Sequence, residues 1–223
     1  MRKKFCLVFL VVPVLIGGCG KDSIFHRDGG TLKDSRDKHE YNWIRIGEQV
    51  WMAENLAWLP VVNPSAFESE TSTYYYLYDF EGSNVAEAKA AANYMTYGVL
   101  YNWEAAKTAC PSGWHLPLDA EWYTLADFLD TDQGGKMKEA GTTHWINPNE
   151  GATNESGFSA LPGGIRQRGD GFGFLGSYGY FWSSSAFDAT NALIRGLGNT
   201  NDELYKDYRN KSSGLSVRCL RNR

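Results

Sequence analysis

The fold is decided by the stretch Cys110-Pro-Ser-Gly-Trp-His-Leu-Pro117, which continues into Asp119-Ala-Glu-Trp122. The tryptophan and leucine of the first block are large and apolar, so we expect them in the core. Apolar residues then recur at the spacing i, i+3, i+4 and i+7, as Trp122, Leu125, Ala126 and Leu129. This spacing places side chains on one face of a helix. An amphipathic helix is therefore predicted over residues 119–129.

Helix and strand patterns continue on both sides of this stretch. Residues 84–93 and 103–109 have helical composition. Residues 41–47 and 49–55 alternate apolar and polar side chains around a Gly-Glu pair, which predicts a β-hairpin. After Gly157 the sequence consists of short aromatic or β-branched runs separated by glycines. Helices that come early and strands that come late predict an α+β fold.

The N-terminus has the features of an export signal. Three basic residues precede an apolar run over residues 5–16, which is shorter than the ~20 residues that span a bilayer but fits a secretory signal. Ile16-Gly-Gly-Cys19 resembles the lipobox of bacterial lipoproteins. Residues 1–18 are therefore predicted to be a signal peptide and Cys19 the site of lipid attachment. The alternative is an ordinary secreted protein with a chance cysteine.

The mature chain is predicted to have two parts. Residues 19–40 carry many charges and few large apolar groups, which favours a charged flexible tether. Residues 41–223 have the size and composition of one domain. We expect the protein in the bacterial cell envelope, lipid-anchored in the outer membrane, with the body facing the surface or the periplasm.

The charge of the chain excludes one class of partner. The sequence has 22 basic and 26 acidic residues, and the signal peptide takes three of the basic ones with it. The mature protein is therefore acidic and lacks the basic footprint of a nucleic-acid-binding protein. The expected partners are the membrane, through the lipid anchor, and a glycan or protein ligand.

Cysteine usage predicts a disulfide. Cys6 lies in the signal peptide and Cys19 is expected to carry lipid, which leaves only Cys110 and Cys219 in the body. Two cysteines in an oxidising compartment are most simply explained by a bridge between them. That bridge would join the end of the chain to its middle.

Six sequence blocks together resemble the Fibrobacter succinogenes major paralogous domain family. Besides the block at 110–122 they are Trp51-Met-Ala-Glu-Asn-Leu56, Tyr97-Gly-Val-Leu-Tyr-Asn-Trp-Glu-Ala-Ala106, Gly157-Phe-Ser-Ala-Leu-Pro-Gly-Gly164, Gly179-Tyr-Phe-Trp-Ser-Ser-Ser185 and Gly214-Leu-Ser-Val-Arg-Cys219. The block at 110–122 also resembles formylglycine-generating-enzyme-like domains, which have a C-type-lectin-like fold. The resemblance implies that fold here, with helices packed on a mostly antiparallel twisted sheet and long irregular loops.

No catalytic residue, metal ligand or cofactor is predicted. Of the four histidines, only His115 and His144 lie in the body, and no Cys/His spacing matches a zinc site. The Glu-Pro-Asn and Trp-Asn-Asp calcium triplets of sugar-binding lectins are absent. A structural calcium ion held by loop oxygens stays an open alternative.

A glycine-rich run at Gly171-Phe-Gly-Phe-Leu-Gly176 matches the spacing of a dinucleotide-binding fingerprint. That fingerprint needs a strand before it and a helix after it, whereas the aromatic run that follows favours sheet. The glycines are therefore interpreted as turn residues.

The candidate ligand-binding residues lie between residues 186 and 213. They are Asp188, Asn191, Asn199, Asn201, Asp202, Tyr205, Asp207, Tyr208 and Asn210. Asn, Asp and Tyr are adaptable contact residues on a rigid scaffold, and we expect these nine to emerge on one rim. The alternative is a polar surface without a ligand.

The predicted function is a lipid-anchored binding module of the cell envelope, for a glycan, a protein or a host surface. A passive structural component of the envelope or of a surface fibre is the main alternative. An enzyme of the formylglycine-generating type is less favoured, because its chemistry needs reactive cysteines and copper. We therefore predict that the protein is not an enzyme.

Overall fold

Strands make up most of the regular structure. A computed structural model describes residues 28–169 and 171–222. Its strands are β1 (Gly29–Lys33), β2 (Glu40–Ile46), β3 (Gln49–Met52), β4 (Tyr75–Tyr76), β5 (Leu100–Tyr101), β6 (Trp114–His115), β7 (Ile165–Gln167), β8 (Gly171–Gly173), β9 (Tyr178–Ala186), β10 (Asn191–Gly198), β11 (Tyr205–Asn210) and β12 (Leu220–Arg221). The predicted hairpin near residue 47 is confirmed as β2 and β3.

The helices are short, and all but the last lie in or beside the segments that the sequence predicts as helical. They are α1 (Val85–Ala90), α2 (Ala92–Tyr97), α3 (Trp103–Ala109), α4 (Asp119–Leu129) and α5 (Gln133–Met137). Asn84 starts α1 by accepting the backbone N–H of Ala86 at 2.9 Å, and Asn102 starts α3 by accepting that of Ala105 at 3.1 Å. The segment predicted as one helix over 84–93 is two helices, because Ala91 is extended.

The prediction of an α+β, C-type-lectin-like fold is wrong. The twelve described strands lie in four antiparallel sheets, and only 18% of the structure is helical. One sheet has the order β1-β2-β3-β12-β6 and another the order β11-β10-β9, while β4-β5 and β7-β8 are two-stranded. The three predicted helical segments are present, but α5 was not predicted, and the described helices are only five to eleven residues long. Strands contributed from both ends and from the middle of the chain make the fold mostly β.

The second half of the predicted tether is ordered structure. Strand β1 pairs antiparallel with β2, and Leu32 lies opposite Tyr41. Asp34 is fully buried, and its carboxylate pairs with Arg36 at 2.6 Å. Arg36 also donates to the carbonyl of Ala109 at 2.8 Å and covers the ring of Trp58. The charges of this segment therefore make specific contacts, and the prediction of a flexible tether is wrong from residue 29 onward.

The anchor and the start of the tether lie outside the described residues. This applies to the signal peptide over residues 1–18, to Cys19 and to the chain up to residue 27. Within residues 28–169 and 171–222, no helix is long and apolar enough to cross a membrane.

The core is rich in aromatic side chains that connect the sheets. Trp51 of β3 lies 4.6 Å from Trp122 of α4, measured between ring centroids. Trp122 in turn lies 6.1 Å from Phe181 of β9. Offset and tilted aromatic pairs of this kind add to the free energy gained by burial. Through these contacts α4 links the five-stranded sheet to the three-stranded one.

The predicted disulfide between Cys110 and Cys219 is confirmed, with the two Cα atoms 5.9 Å apart. It joins the residue after α3 to the segment before β12. The bridge closes a loop of 109 residues, for which chain entropy gives a stabilisation of roughly 4–5 kcal/mol.

Candidate functional site

The turn between β9 and β10 uses two of the predicted binding residues for its own backbone. Asp188 accepts the backbone N–H groups of Thr190 and Asn191, both at 2.7 Å, and the Asn191 side-chain amide at 2.8 Å. These hydrogen bonds lower the pKa of Asp188 to about 2, and the bond from the Asn191 side chain has the largest effect. Asp188 and Asn191 therefore stabilise the turn.

Three other predicted residues lie at the opposite end of the same sheet, in the loop from β10 to β11. Asn199 is buried and donates to the carbonyl of Ile146 at 3.2 Å. The carbonyl of Asn201 accepts from the buried Lys138 Nζ at 2.7 Å, and that of Asp202 accepts an N–H of α5 at 3.1 Å. At ~3.3 Å per residue, strand β10 separates the two ends by about 23 Å. The nine predicted residues therefore do not form one rim.

The remaining predicted residues belong to β11 and point to both faces of its sheet. The ring of Tyr208 stacks on Phe187 with centroids 4.4 Å apart. On the other face the carboxylate of Asp207 pairs with Arg209. Both polar atoms of the Asn210 amide already have hydrogen-bond partners in the protein. Of this group only Tyr208 presents a large exposed surface.

A groove of about 390 Å³ opens between the β7–β8 hairpin and β11. We call it the aromatic groove, and its lining residues are Ile165, Gln167, Arg168, Phe174, Tyr180, Arg209, Asn210 and Ser213. The hairpin is held in place by backbone bonds between Arg166 and Gly214 in both directions, at 2.9 and 2.8 Å. One wall of the groove is therefore part of the rigid framework.

The packing around Tyr180, which lines the groove, depends on a glycine in β10. Gly196 pairs with Tyr180 on one side and with Tyr205 on the other. A Cβ atom at Gly196 would overlap the Tyr205 ring, so the absence of a side chain lets that ring lie across the sheet towards Tyr180. Burial raises the pKa of Tyr205, and the neighbouring Tyr180 adds to the effect. Tyr205, predicted as a contact residue, is half-buried and is not among the residues that line the groove.

The exposed ring of the groove is Phe174, which follows β8. Its φ of 65° is a left-handed conformation that bulky residues seldom adopt. Its carbonyl accepts the N–H groups of Ser177 and Tyr178, both at 3.0 Å. The ring packs edge-on against Tyr178 at 5.6 Å, yet 47% of the residue is exposed. The turn therefore holds an apolar ring at the mouth of the groove.

Besides the Phe174 ring, the groove is lined by polar groups. Arg209 lies with its guanidinium carbon 5.3 Å from the centroid of Tyr180, and Arg168 lies on the opposite wall with a side chain that is 61% exposed. The Gln167 side chain adds an amide to the lining. The groove thus combines one exposed aromatic ring with planar hydrogen-bonding groups.

Sequence reasoning missed Phe174, Tyr180, Arg168 and Arg209. One available signal was the alternation of aromatic residues along 172–180, in which Phe172, Phe174, Tyr178 and Tyr180 share one parity. No pattern in the sequence indicates that the β7–β8 hairpin and β11 face each other. That proximity comes from contacts between distant segments.

The histidines of the body have carboxylate and amide partners. The His115 ring bonds to Asn222 at 2.7 Å and to Glu121 at 2.9 Å, while His144 bonds to Glu139 at 2.8 Å. In the described part of the chain, no group of three or more His, Cys, Asp or Glu side chains is placed to hold a metal ion.

The sequence comparison identifies the family. Residues 44–221 match the model of the Fibrobacter succinogenes major domain, and the chain belongs to that family. No curated protein and no solved structure is significantly similar to the chain.

Proposed function

We propose that the protein is a binding module of the bacterial cell envelope, attached to the membrane by lipid on Cys19, that takes a glycan in the aromatic groove. The observation that carries this proposal is the exposed Phe174 ring, held beside Arg209 and Gln167 in a concave site.

The size of the groove favours a small ligand over a protein surface. Its volume of about 390 Å³ lies within the ~300–1,000 Å³ of small-molecule sites. A stable protein interface buries ~800 Å² on each partner, usually over a flatter surface. A few sugar rings match the dimensions of the groove better.

The chemistry of the lining also suits a sugar. A pyranose ring has an apolar C–H face and a rim of hydroxyl groups. Phe174 offers an apolar ring for that face, and aromatic side chains supply large contact area at a low entropy cost. Guanidinium and amide groups donate to hydroxyl oxygens, and Arg209 and Gln167 provide such groups in the lining.

A short connection to the anchor is part of the proposal. The first described strand begins at Gly29, ten residues after Cys19. At ~3.5 Å per residue the chain between them spans at most about 35 Å. The body would therefore lie close to the membrane that carries the lipid.

The proposal contains no catalytic step. The two cysteines of the described residues are joined to each other, so they lack the free thiols that chemistry of the formylglycine-generating type requires.

The test uses the full chain purified in detergent and a panel of immobilised glycans. Some immobilised glycans should capture the parent chain. Phe174→Ala should weaken binding to those glycans by roughly 1–3 kcal/mol, as expected for an aromatic contact residue. Phe187→Ala is the matched control, because Phe187 is 54% exposed but lies outside the lining of the groove. Thermal melts of both variants report on folding.

The proposal fails if no immobilised glycan captures the protein, or if both phenylalanine variants bind as well as the parent chain. Equal loss in the two variants would place the ligand elsewhere.

A further inference from the structure

The aromatic groove presents guanidinium groups but no carboxylate. Arg168 and Arg209 are the charged side chains of the lining, and none of the described lining residues is Asp or Glu. Two carboxylates nearby among the described residues are already paired: Asp207 bonds to Arg209, and Glu68 bonds to Arg166 at 3.0 Å. A ligand in the groove would therefore meet positive groups first.

Arg168 has the least compensated charge of these groups. Its Nε atom is 3.9 Å from Glu68, whose same carboxylate also accepts from Arg166. A third carboxylate, Glu70, accepts from the Asn210 amide at 2.7 Å. Because the Arg168 side chain is mostly exposed at the groove wall, it can turn towards a ligand anion without breaking a close ion pair.

Arg209, in contrast, is fixed before any ligand arrives. Its Nη1 atom donates to the Tyr208 carbonyl at 2.7 Å and to the Asp207 carboxylate, and its guanidinium lies over Tyr180. A group that is already ordered loses little conformational entropy on binding. Arg209 therefore provides a rigid polar wall, and Arg168 an adaptable cation across from it.

We infer that the aromatic groove takes a saccharide that carries a carboxylate, with a sugar ring against Phe174 and the carboxylate paired with Arg168. This inference rests on the proposed function and names the class of glycan. Guanidinium and carboxylate groups match in geometry and form two parallel hydrogen bonds. A neutral sugar would contact Phe174, Gln167 and Arg209 but would leave Arg168 without an anionic partner.

Uronic acids and sialic acids share this chemistry, and the probes must separate them. We choose trigalacturonate, a hyaluronan tetrasaccharide and sialyllactose, each beside its own methyl ester. Esterification removes the negative charge and leaves the rings in place. Titration calorimetry on the full chain in detergent, at low ionic strength, measures the ratio of the two affinities.

At least one acid should bind about five- to tenfold more tightly than its ester, as expected for a partly exposed charged pair. Added salt should reduce this ratio. Arg168→Gln should abolish the preference by reducing the affinity for the acid to about that for the ester. Arg45→Gln is the control, since Arg45 is also exposed and paired with a carboxylate, that of Asp28, but lies outside the lining of the groove.

Three results would overturn the inference. If acids and esters bind equally and Phe174→Ala weakens both, the glycan-binding function stands and the acidic class is wrong. If the acid preference survives Arg168→Gln, the carboxylate lies elsewhere. If none of the six probes binds, the acidic class is also wrong, and the neutral members of the glycan panel alone decide the proposed function.

Discussion

Replacing Gly196 with alanine tests how the three-stranded sheet behind Tyr180 of the aromatic groove is packed. Gly196 sits between Tyr180 and Tyr205 across the three-stranded sheet. The added Cβ atom would overlap three atoms at the outer end of the Tyr205 ring. A ring cannot bend away as an aliphatic chain can, so Tyr205 must swing out of its place or β11 must shift.

The expected cost follows from this overlap. Overpacking a well-packed site costs typically ~1–3 kcal/mol. Against it, alanine restricts the unfolded chain more than glycine does and recovers about 0.4–1 kcal/mol. The free energy of unfolding should therefore fall by roughly 1–2 kcal/mol. Gly198 is the matched control on the same strand, because its Cβ atom would come no closer than 3.2 Å to Tyr178, and its substitution should cost clearly less.

Urea denaturation of a double-mutant cycle provides the assay. If the clash is with the Tyr205 ring, Gly196→Ala should cost little or nothing in a Tyr205→Ala background, and the two substitutions should couple by at least about 1 kcal/mol. Additive effects of Gly196→Ala and Tyr205→Ala would refute the reasoning, as would an equal cost for Gly196→Ala and Gly198→Ala.

Three further outcomes are expected, besides the weaker glycan binding of Phe174→Ala. Cys19→Ser should abolish metabolic lipid labelling and membrane association, and undiminished labelling would rule out the anchor. Replacing Cys110 and Cys219 together by alanine should lower the free energy of unfolding by ~2–5 kcal/mol, measured by urea denaturation under non-reducing conditions; no change would contradict a stabilising bridge. Burial raises the pKa of Tyr94 to about 12, so this residue contributes stability that is complete below pH ~10 and is lost as the pH rises towards 12, at about 1 kcal/mol per pH unit. Tyr94→Phe should flatten this slope in denaturation curves at pH 9, 10 and 11, and an unchanged slope would count against the assignment.

The helices could be predicted from the sequence because their signals are local. The apolar spacing of α4 lies within eleven residues, and the Asn102 that caps α3 directly precedes it. The number and grouping of the sheets could not be predicted, because pairing depends on distant segments. Strand β12, for example, pairs with both β3 and β6, and no pattern within its two residues indicates either partner.

Residues 28–40, the described part of the predicted tether, show the same limit. Charge density predicted a flexible segment, and composition is a sound guide where charges stay in water. Asp34 instead pairs with Arg36 in a buried site, and Arg36 reaches Trp58 and the end of α3. Composition does not record whether a charge has a partner. That depends on what the rest of the chain places beside it.

The candidate site could be predicted only in part from the sequence, for a related reason. Asn and Asp are common in binding loops, but they are equally suited to turns because their side chains bond to nearby backbone groups. Asp188 and Asn191 form hydrogen bonds within the turn, and Asn199 holds its loop against the carbonyl of Ile146. A residue that already has its hydrogen-bond partners offers little to a ligand. The groups available to a ligand are those with an exposed ring or cation, as at Phe174 and Arg168. The sequence alone does not distinguish a polar group that already has its partners from one that is available to a ligand.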